Sequence, residues 1–281
     1  MWKLPLPDNN NAILELVTAL TLKNGKQKHP LTPGDKVAID NIYKHYEVCY
    51  GVADIRLLGK KLDQDLLNAI EKAYSEVQKK GRLSALRDRI LLNAALCPCC
   101  GLRIADELDH HLPKVDYKAL AVYSSNLVPI CHNCNNHKKT IDGDDVTERF
   151  IHIYYDKIPE DVQFLFANVT IGKGFKVKLE VRKIKELSGE LRQQLQFQMD
   201  RVKLNERLEM QIIDDLAAIA FGLEGNYVVA GAIGVKRLLE GTARYYRGRY
   251  GLNHWRTAVM RALAEHDDFC NGGFRIVFPL N

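Results

Sequence analysis

The segment LDHHLPK, residues 108–114, places a carboxylate, two imidazoles and an ammonium within seven positions. A neutral imidazole can take a proton from water because its pKa lies near neutral pH, and a carboxylate oxygen is a hard ligand for Mg²⁺ or Mn²⁺. Four of the nine histidines fall between residues 110 and 137, an interval that also contains Asn126 and Asn135. These residue types suit metal-assisted hydrolysis of a phosphodiester.

Five of the seven cysteines lie between residues 97 and 134, in the segments CPCC and CHNC. Each C-x-x-C turn directs two thiolates at one tetrahedral ion, so the two pairs predict a closed, structural zinc site. A redox dithiol is disfavoured because the two pairs stand thirty residues apart without a thioredoxin-like βαβ context. Cys99 lies inside the first pair and could replace a neighbour. The predicted ligands are Cys97, Cys100, Cys131 and Cys134.

The order and spacing of these elements resemble the HNH nuclease family, the ββα-metal fold, in its four-cysteine zinc-stabilised form. The matching elements are Asp109-His110-x-x-Pro113, Asn126-Leu127, the second cysteine pair, Asn135 and Lys138. The resemblance covers residues 90–145. It implies that His110 is the general base, that Asp109 and Asn135 hold a catalytic Mg²⁺ or Mn²⁺, and that Asn126 ties the connecting loop to the backbone of the base. Asparagine at 135 makes the chain an H-N-N variant.

Neighbouring side chains offer alternatives to these assignments. His137 competes with Asn135 as a ligand, but two helical positions two residues apart lie about 200° apart around the axis, so they cannot readily share an ion. The spacing from the second cysteine pair favours Asn135. His111 is expected to pack rather than to catalyse, because neighbours on a strand point to opposite faces. Lys114 and Lys138 are each a candidate to position a phosphate or an ordinary exposed lysine.

The basic excess of the chain is concentrated near its C-terminal end. The formal net charge is +5, and the segment 236–256 alone carries six cations and one anion. Within it, RYYRGRYGLNHWR interleaves arginines with aromatic residues, which suits phosphate contacts and base stacking. A helix with buried tyrosines and solvated arginines explains the same pattern equally well. The candidate nucleic-acid contacts are Arg244, Arg247, Arg249 and Arg256.

Periodicity predicts a mainly α protein with a small α+β zinc-stabilised ββα module and a minor β-hairpin in its C-terminal part. We divide the chain into a helical region 1–89, the nuclease module 90–145 and a mostly helical, basic region 146–281. FKVKLEVRK alternates as a strand does, whereas DVTERFIHIYYDKI reads as a helix and FRIVFPL as a closing strand. A long or broken helix is expected from residue 186 to residue 221, and it could mediate a homodimer.

The leading functional hypothesis is an HNH endonuclease that nicks or cuts DNA, with RNA as an open alternative substrate. The motif also resembles nucleases of bacterial anti-phage defence systems, which implies an ATPase or other defence partner. The main alternative is a zinc-stabilised nucleic-acid-binding module without turnover, and a third is a scaffold with no nucleic-acid affinity. No apolar run approaches the roughly 20 residues of a membrane helix and no signal peptide is evident, so we expect a cytoplasmic chain without a membrane partner.

Overall fold

The computed structural model describes residues 2–141, 147–172 and 174–278. The chain forms two compact units, one of residues 3–157 and the other of residues 1–2 with 158–281. From residue 3 onward, the helical region 1–89 and the cysteine-rich region 90–145, which we separated on the sequence, lie in the same unit. Among the described residues no single helix is long and apolar enough to cross a membrane, although the pair 204–217 and 220–250, bent by 54°, passes that test together.

Four α-helices precede the cysteine-rich segment in the unit of residues 3–157. A capping box starts the second of them: Thr32 Oγ1 accepts from the Asp35 N–H at 3.1 Å, and the Asp35 carboxylate accepts from the Thr32 N–H at 2.9 Å. Fully buried side chains such as Leu16, Ile39 and Leu66 form the core between these helices. The helices are α1 (Ala12–Leu20), α2 (Pro33–Val48), α3 (Gln64–Ala73) and α4 (Ser84–Leu92).

A short antiparallel hairpin followed by a helix completes this unit. Strand β1 (Glu107–His110) pairs with β2 (Leu127–Ile130), with Glu107 opposite Ile130 and His110 opposite Leu127. Helix α5 (His132–Lys138) begins directly after Cys131 and contacts β1. The order strand, strand, helix is the one expected for the nuclease module, and it brings both ends of β1 against α5.

The unit of residues 158–281 contains the second hairpin and the whole basic segment 236–256. Strand β3 (Leu165–Ile171) pairs antiparallel with β4 (Phe175–Val181), and the second strand is the predicted FKVKLEVRK segment. The long eighth helix bends at Gly231, whose φ of +60° and ψ of −149° are open to glycine but not to other residues. The helices are α6 (Gly189–Arg201), α7 (Leu204–Ala217), α8 (Ala220–Tyr250), α9 (Trp255–Ala264) and α10 (Phe274–Val277).

A mainly helical fold with two small antiparallel sheets and a four-cysteine cluster confirms the predicted fold class. Two local predictions were wrong. FRIVFPL forms the short helix α10 rather than a strand, as far as its described residues 274–278 extend. DVTERFIHIYYDKI is not helical over its described residues 147–158. There, side chains of His152, Tyr154 and Tyr155 make tertiary hydrogen bonds, which outweigh the helical periodicity.

Candidate active site and cysteine cluster

The two C-x-x-C pairs meet in one buried cluster. The ligand atoms of Cys97, Cys100, Cys131 and Cys134 all lie within 4.8 Å of one another, and each residue is at most 2% exposed. Zn–S bonds of about 2.3 Å in a tetrahedron place sulfurs about 3.8 Å apart. The Cys100 and Cys131 sulfurs are 3.8 Å apart and do not form a disulfide. The cluster could therefore hold a zinc ion, while Cys99 is buried outside this set of four.

His110 is buried at the end of β1. Its Nε2 lies 2.9 Å from the carbonyl oxygen of Ala121, and its ring meets the ring of Tyr74 edge-on at 4.3 Å between centroids. A carbonyl only accepts, so Nε2 carries the proton and Nδ1 keeps a lone pair. That Nδ1 makes no hydrogen bond within the described chain. Burial lowers the pKa of His110 to about 3, and the charges of Lys138 and Lys114 add to this. The imidazole is therefore neutral at physiological pH.

Asn126 is fully buried and holds the backbone that follows the base. Its Oδ1 accepts from the Leu112 N–H at 2.8 Å and its Nδ2 donates to the Leu112 carbonyl at 3.0 Å. The Tyr46 hydroxyl of α2 also reaches Asn126 Oδ1 at 3.1 Å, and it lies 2.9 Å from His152 Nε2. The backbone directly after His110 is therefore fixed by residues that are distant in the sequence.

Asp109 makes a buried ion pair with the last residue of α5. Lys138 Nζ lies 2.8 Å from Asp109 Oδ2 and donates to the His110 carbonyl at 2.7 Å. The Lys138 side chain is 3% exposed, so Lys138 is neither the surface phosphate contact nor the exposed lysine that we considered on the sequence. Asp109 Oδ2 makes no hydrogen bond within the described residues, and its charge is offset by this ammonium.

Asn135 contacts a carboxylate that the sequence analysis did not single out. Its Nδ2 donates to Glu107 Oε2 at 2.8 Å, and the exposed His132 lies 2.7 Å from Glu107 Oε1 through Nδ1. Burial raises the pKa of Glu107, but the hydrogen bonds from Asn135 and His132 outweigh it, so the pKa is lowered. Period two places Glu107 on the same face of β1 as Asp109, and that spacing was the signal for it.

The donor set of this site suits a hard divalent cation. With Asn135 Nδ2 on Glu107 and Asp109 Oδ2 paired with Lys138, the remaining atoms Asn135 Oδ1 and Asp109 Oδ1 have neither a hydrogen bond nor an ion pair within the described residues. Oxygen atoms of this type are the ligands that Mg²⁺ and Mn²⁺ prefer. The side chains available therefore fit the predicted ion by their chemistry.

The candidate phosphate contacts differ in whether they already form an ion pair with a carboxylate of the described chain. Arg244, Arg247 and Arg249 are exposed on the last turns of α8 and make no ion pair within the described residues. Arg256 does not fit the predicted role, because its Nε lies 2.5 Å from Asp215 Oδ2 and its side chain is 17% exposed. Lys114 Nζ is 3.7 Å from Glu71 and partly exposed.

The chain matches part of a known phage protein. The chain is 34% identical over 88 residues to Protein ea31 of Escherichia phage lambda, and the matched segment covers 30% of each protein. The chain thus matches less than a third of that protein's length. No family model matches the chain, and no solved structure gives a significant match.

Proposed function

We propose that this protein is a metal-dependent HNH endonuclease that hydrolyses phosphodiester bonds of DNA. The observation that carries the proposal is the β1–β2–α5 unit, which holds Asp109, His110 and Asn135 beside a buried cysteine cluster. The resemblance of the sequence motif to that family adds to this support. The predicted place in anti-phage defence, and an ATPase partner, remain predictions from the resemblance.

His110 is the proposed general base. The Ala121 carbonyl fixes its tautomer, so that the Nδ1 lone pair can accept a proton from water. Because the imidazole is neutral far below pH 7, it is not blocked by protonation at physiological pH. An anionic phosphate nearby would raise its proton affinity. Asn126 holds the following backbone in place and so limits movement of the base.

Asp109 and Asn135 are the proposed ligands of the catalytic ion. A bound Mg²⁺ or Mn²⁺ would polarise the scissile phosphate and neutralise charge on the leaving 3′ oxygen. The four cysteines have no open ligand position when they hold zinc, so their role is structural. They tie the segment before β1 to the start of α5.

The test is cleavage of supercoiled plasmid in Mg²⁺ or Mn²⁺ by the native protein, His110→Ala, Asn135→Ala and His137→Ala. General bases contribute about 10²- to 10⁴-fold, so His110→Ala should lose at least that much rate. Asn135→Ala should also be impaired, while His137→Ala, on the same helix, should cut as the native protein does. Equal cleavage by the native protein and His110→Ala would refute the assignment of the base.

A nucleic-acid-binding module without turnover is the second candidate function. The observation that favours it is the exposed set Arg244, Arg247 and Arg249, which could hold phosphates whether or not cleavage follows. If the native protein binds DNA in a salt-dependent way but leaves plasmid intact in both metal ions, this second function replaces the first.

A further inference from the structure

Glu107 opens β1 and shares a face of that strand with Asp109, two residues later. Both side chains are partly buried, with 32% of Glu107 and 13% of Asp109 exposed. The two carboxylates have different partners. Lys138 neutralises Asp109, whereas Glu107 accepts hydrogen bonds from α5 and makes no ion pair with a lysine or arginine of the described chain. The effect of Glu107 on α5 is therefore to orient the side chains that donate hydrogen bonds to it.

The contact with Asn135 decides which end of that amide faces away from β1. A carboxylate only accepts, so the group 2.8 Å from Glu107 Oε2 must be the NH₂ of Asn135. Its carbonyl oxygen, Oδ1, is then the free end of the side chain. A hard cation binds the amide oxygen and is repelled by the NH₂ group. The same asparagine in the flipped orientation would be no ligand.

We propose that Glu107 is a positioning residue for the divalent-cation site, because it holds the Asn135 amide with Oδ1 available to the ion. This inference rests on the proposed function, in which Asn135 is a ligand. His132 Nδ1 occupies the other oxygen of Glu107 at 2.7 Å and keeps that carboxylate from rotating. Lys138 pairs with Asp109 through Oδ2, so the other carboxylate oxygen, Oδ1, stays available to the ion.

The test measures Mn²⁺ binding by titration with electron paramagnetic resonance detection, without substrate and on zinc-loaded protein. Glu107→Gln carries its own NH₂ group and no longer dictates the orientation of Asn135. We expect its Mn²⁺ affinity to fall about 10- to 100-fold, the usual loss when a residue that hydrogen-bonds to a metal ligand is replaced. His132→Ala removes one of the two contacts of the Glu107 carboxylate but keeps its contact with Asn135, so it should lose less Mn²⁺ affinity than Glu107→Gln does.

A second substitution separates orientation from loss of fold or charge. A carboxylate at 135 offers oxygen at both ends and needs no orienting partner. Asn135→Asp should therefore restore Mn²⁺ affinity in the Glu107→Gln background, whereas beside native Glu107 it places two anions together and should destabilise the protein. A misfolded Glu107→Gln variant would not be rescued in this way.

The possible outcomes distinguish this inference from the proposed function. If the native protein binds no Mn²⁺ at millimolar concentration, the metal site and this inference both fall. If the native protein and Asn135→Ala differ in affinity but Glu107→Gln binds as the native protein does, the site stands and the role of Glu107 is refuted. Failure of Asn135→Asp to rescue a weakened Glu107→Gln variant overturns the orientation argument.

Discussion

Replacing Lys138 with methionine should destabilise the unit of residues 3–157 by about 3–5 kcal/mol. The substitution leaves the Asp109 carboxylate without its counter-charge in a setting where 13% of that side chain is exposed. It also removes the hydrogen bond to the His110 carbonyl, which adds about 1 kcal/mol within that range. Asp109→Asn should cost about 3 kcal/mol, because the ammonium of Lys138 is then enclosed without an anion.

The double variant, Lys138→Met with Asp109→Asn, is the decisive comparison. Each single change leaves one uncompensated charge, whereas the double change leaves none, so its cost should be about 2 kcal/mol less than the sum. The assay is urea unfolding followed by circular dichroism, with unchanged m-values as the check on two-state behaviour. Lys139→Met removes the same charge from an exposed neighbour and should change stability by at most about 0.5 kcal/mol.

Costs that add to within about 0.5 kcal/mol would refute the ion-pair argument. The same argument affects how nuclease assays are interpreted. A loss of cleavage in Asp109→Asn would mix the loss of the proposed metal ligand with the loss of folded protein, so rates must be compared at equal folded fraction. His110→Ala leaves the ion pair intact and is the cleaner catalytic variant.

Three further predictions concern pH, DNA and zinc. Burial lowers the pKa of His152 well below its usual value, so the unfolded chain protonates first as the pH falls below about 6.5 and stability is lost. In His152→Gln the slope of the unfolding free energy against pH, measured near pH 5 by urea unfolding, should be smaller by about 1.4 kcal/mol per pH unit than in the native protein. An unchanged slope would contradict a buried, neutral His152 ring. In the double variant Arg247→Ala with Arg249→Ala, the slope of log binding constant against log salt concentration should become shallower by about 1.8, the equivalent of two phosphate contacts. Arg256 is already paired with Asp215, so Arg256→Ala should not alter that slope. Cys131→Ser should lower both the zinc content measured by plasma emission and the melting temperature; native values for both would argue against the zinc site.

Several features of the candidate site could be predicted from spacing alone. The two C-x-x-C pairs indicated one shared cluster, since each turn directs two sulfurs at one point. The order of β1, β2 and α5 was implied by the resemblance of the motif to the HNH family, which did not give their bounds. Glu107 was also within reach, because period two along β1 relates it to Asp109. These contacts are local, or repeat at a fixed interval, and so leave a trace in the sequence.

The residues that hold the candidate site in place from other elements could not be predicted from the sequence. Tyr46 reaches Asn126 across 80 residues and His152 across 106 residues. Contacts at that separation depend on how helices pack, which spacing does not encode. The burial of Lys138 is different: it follows Cys134 by four residues and so shares a face of α5 with a buried sulfur. That spacing favours an enclosed lysine, and the periodicity of α5 could have indicated it.

The hydrogen bond from Tyr46 of α2 to Asn126, just before β2, determines which fragments of this protein can be expressed in folded form. A fragment that starts at residue 90 keeps every motif residue but loses the Tyr46 hydroxyl on Asn126 and the Tyr74 ring against His110. A fragment that stops at residue 145 also loses His152. Subcloning the motif alone should therefore yield an insoluble or inactive peptide. Expression boundaries at residues 3 and 157 retain all of these partners.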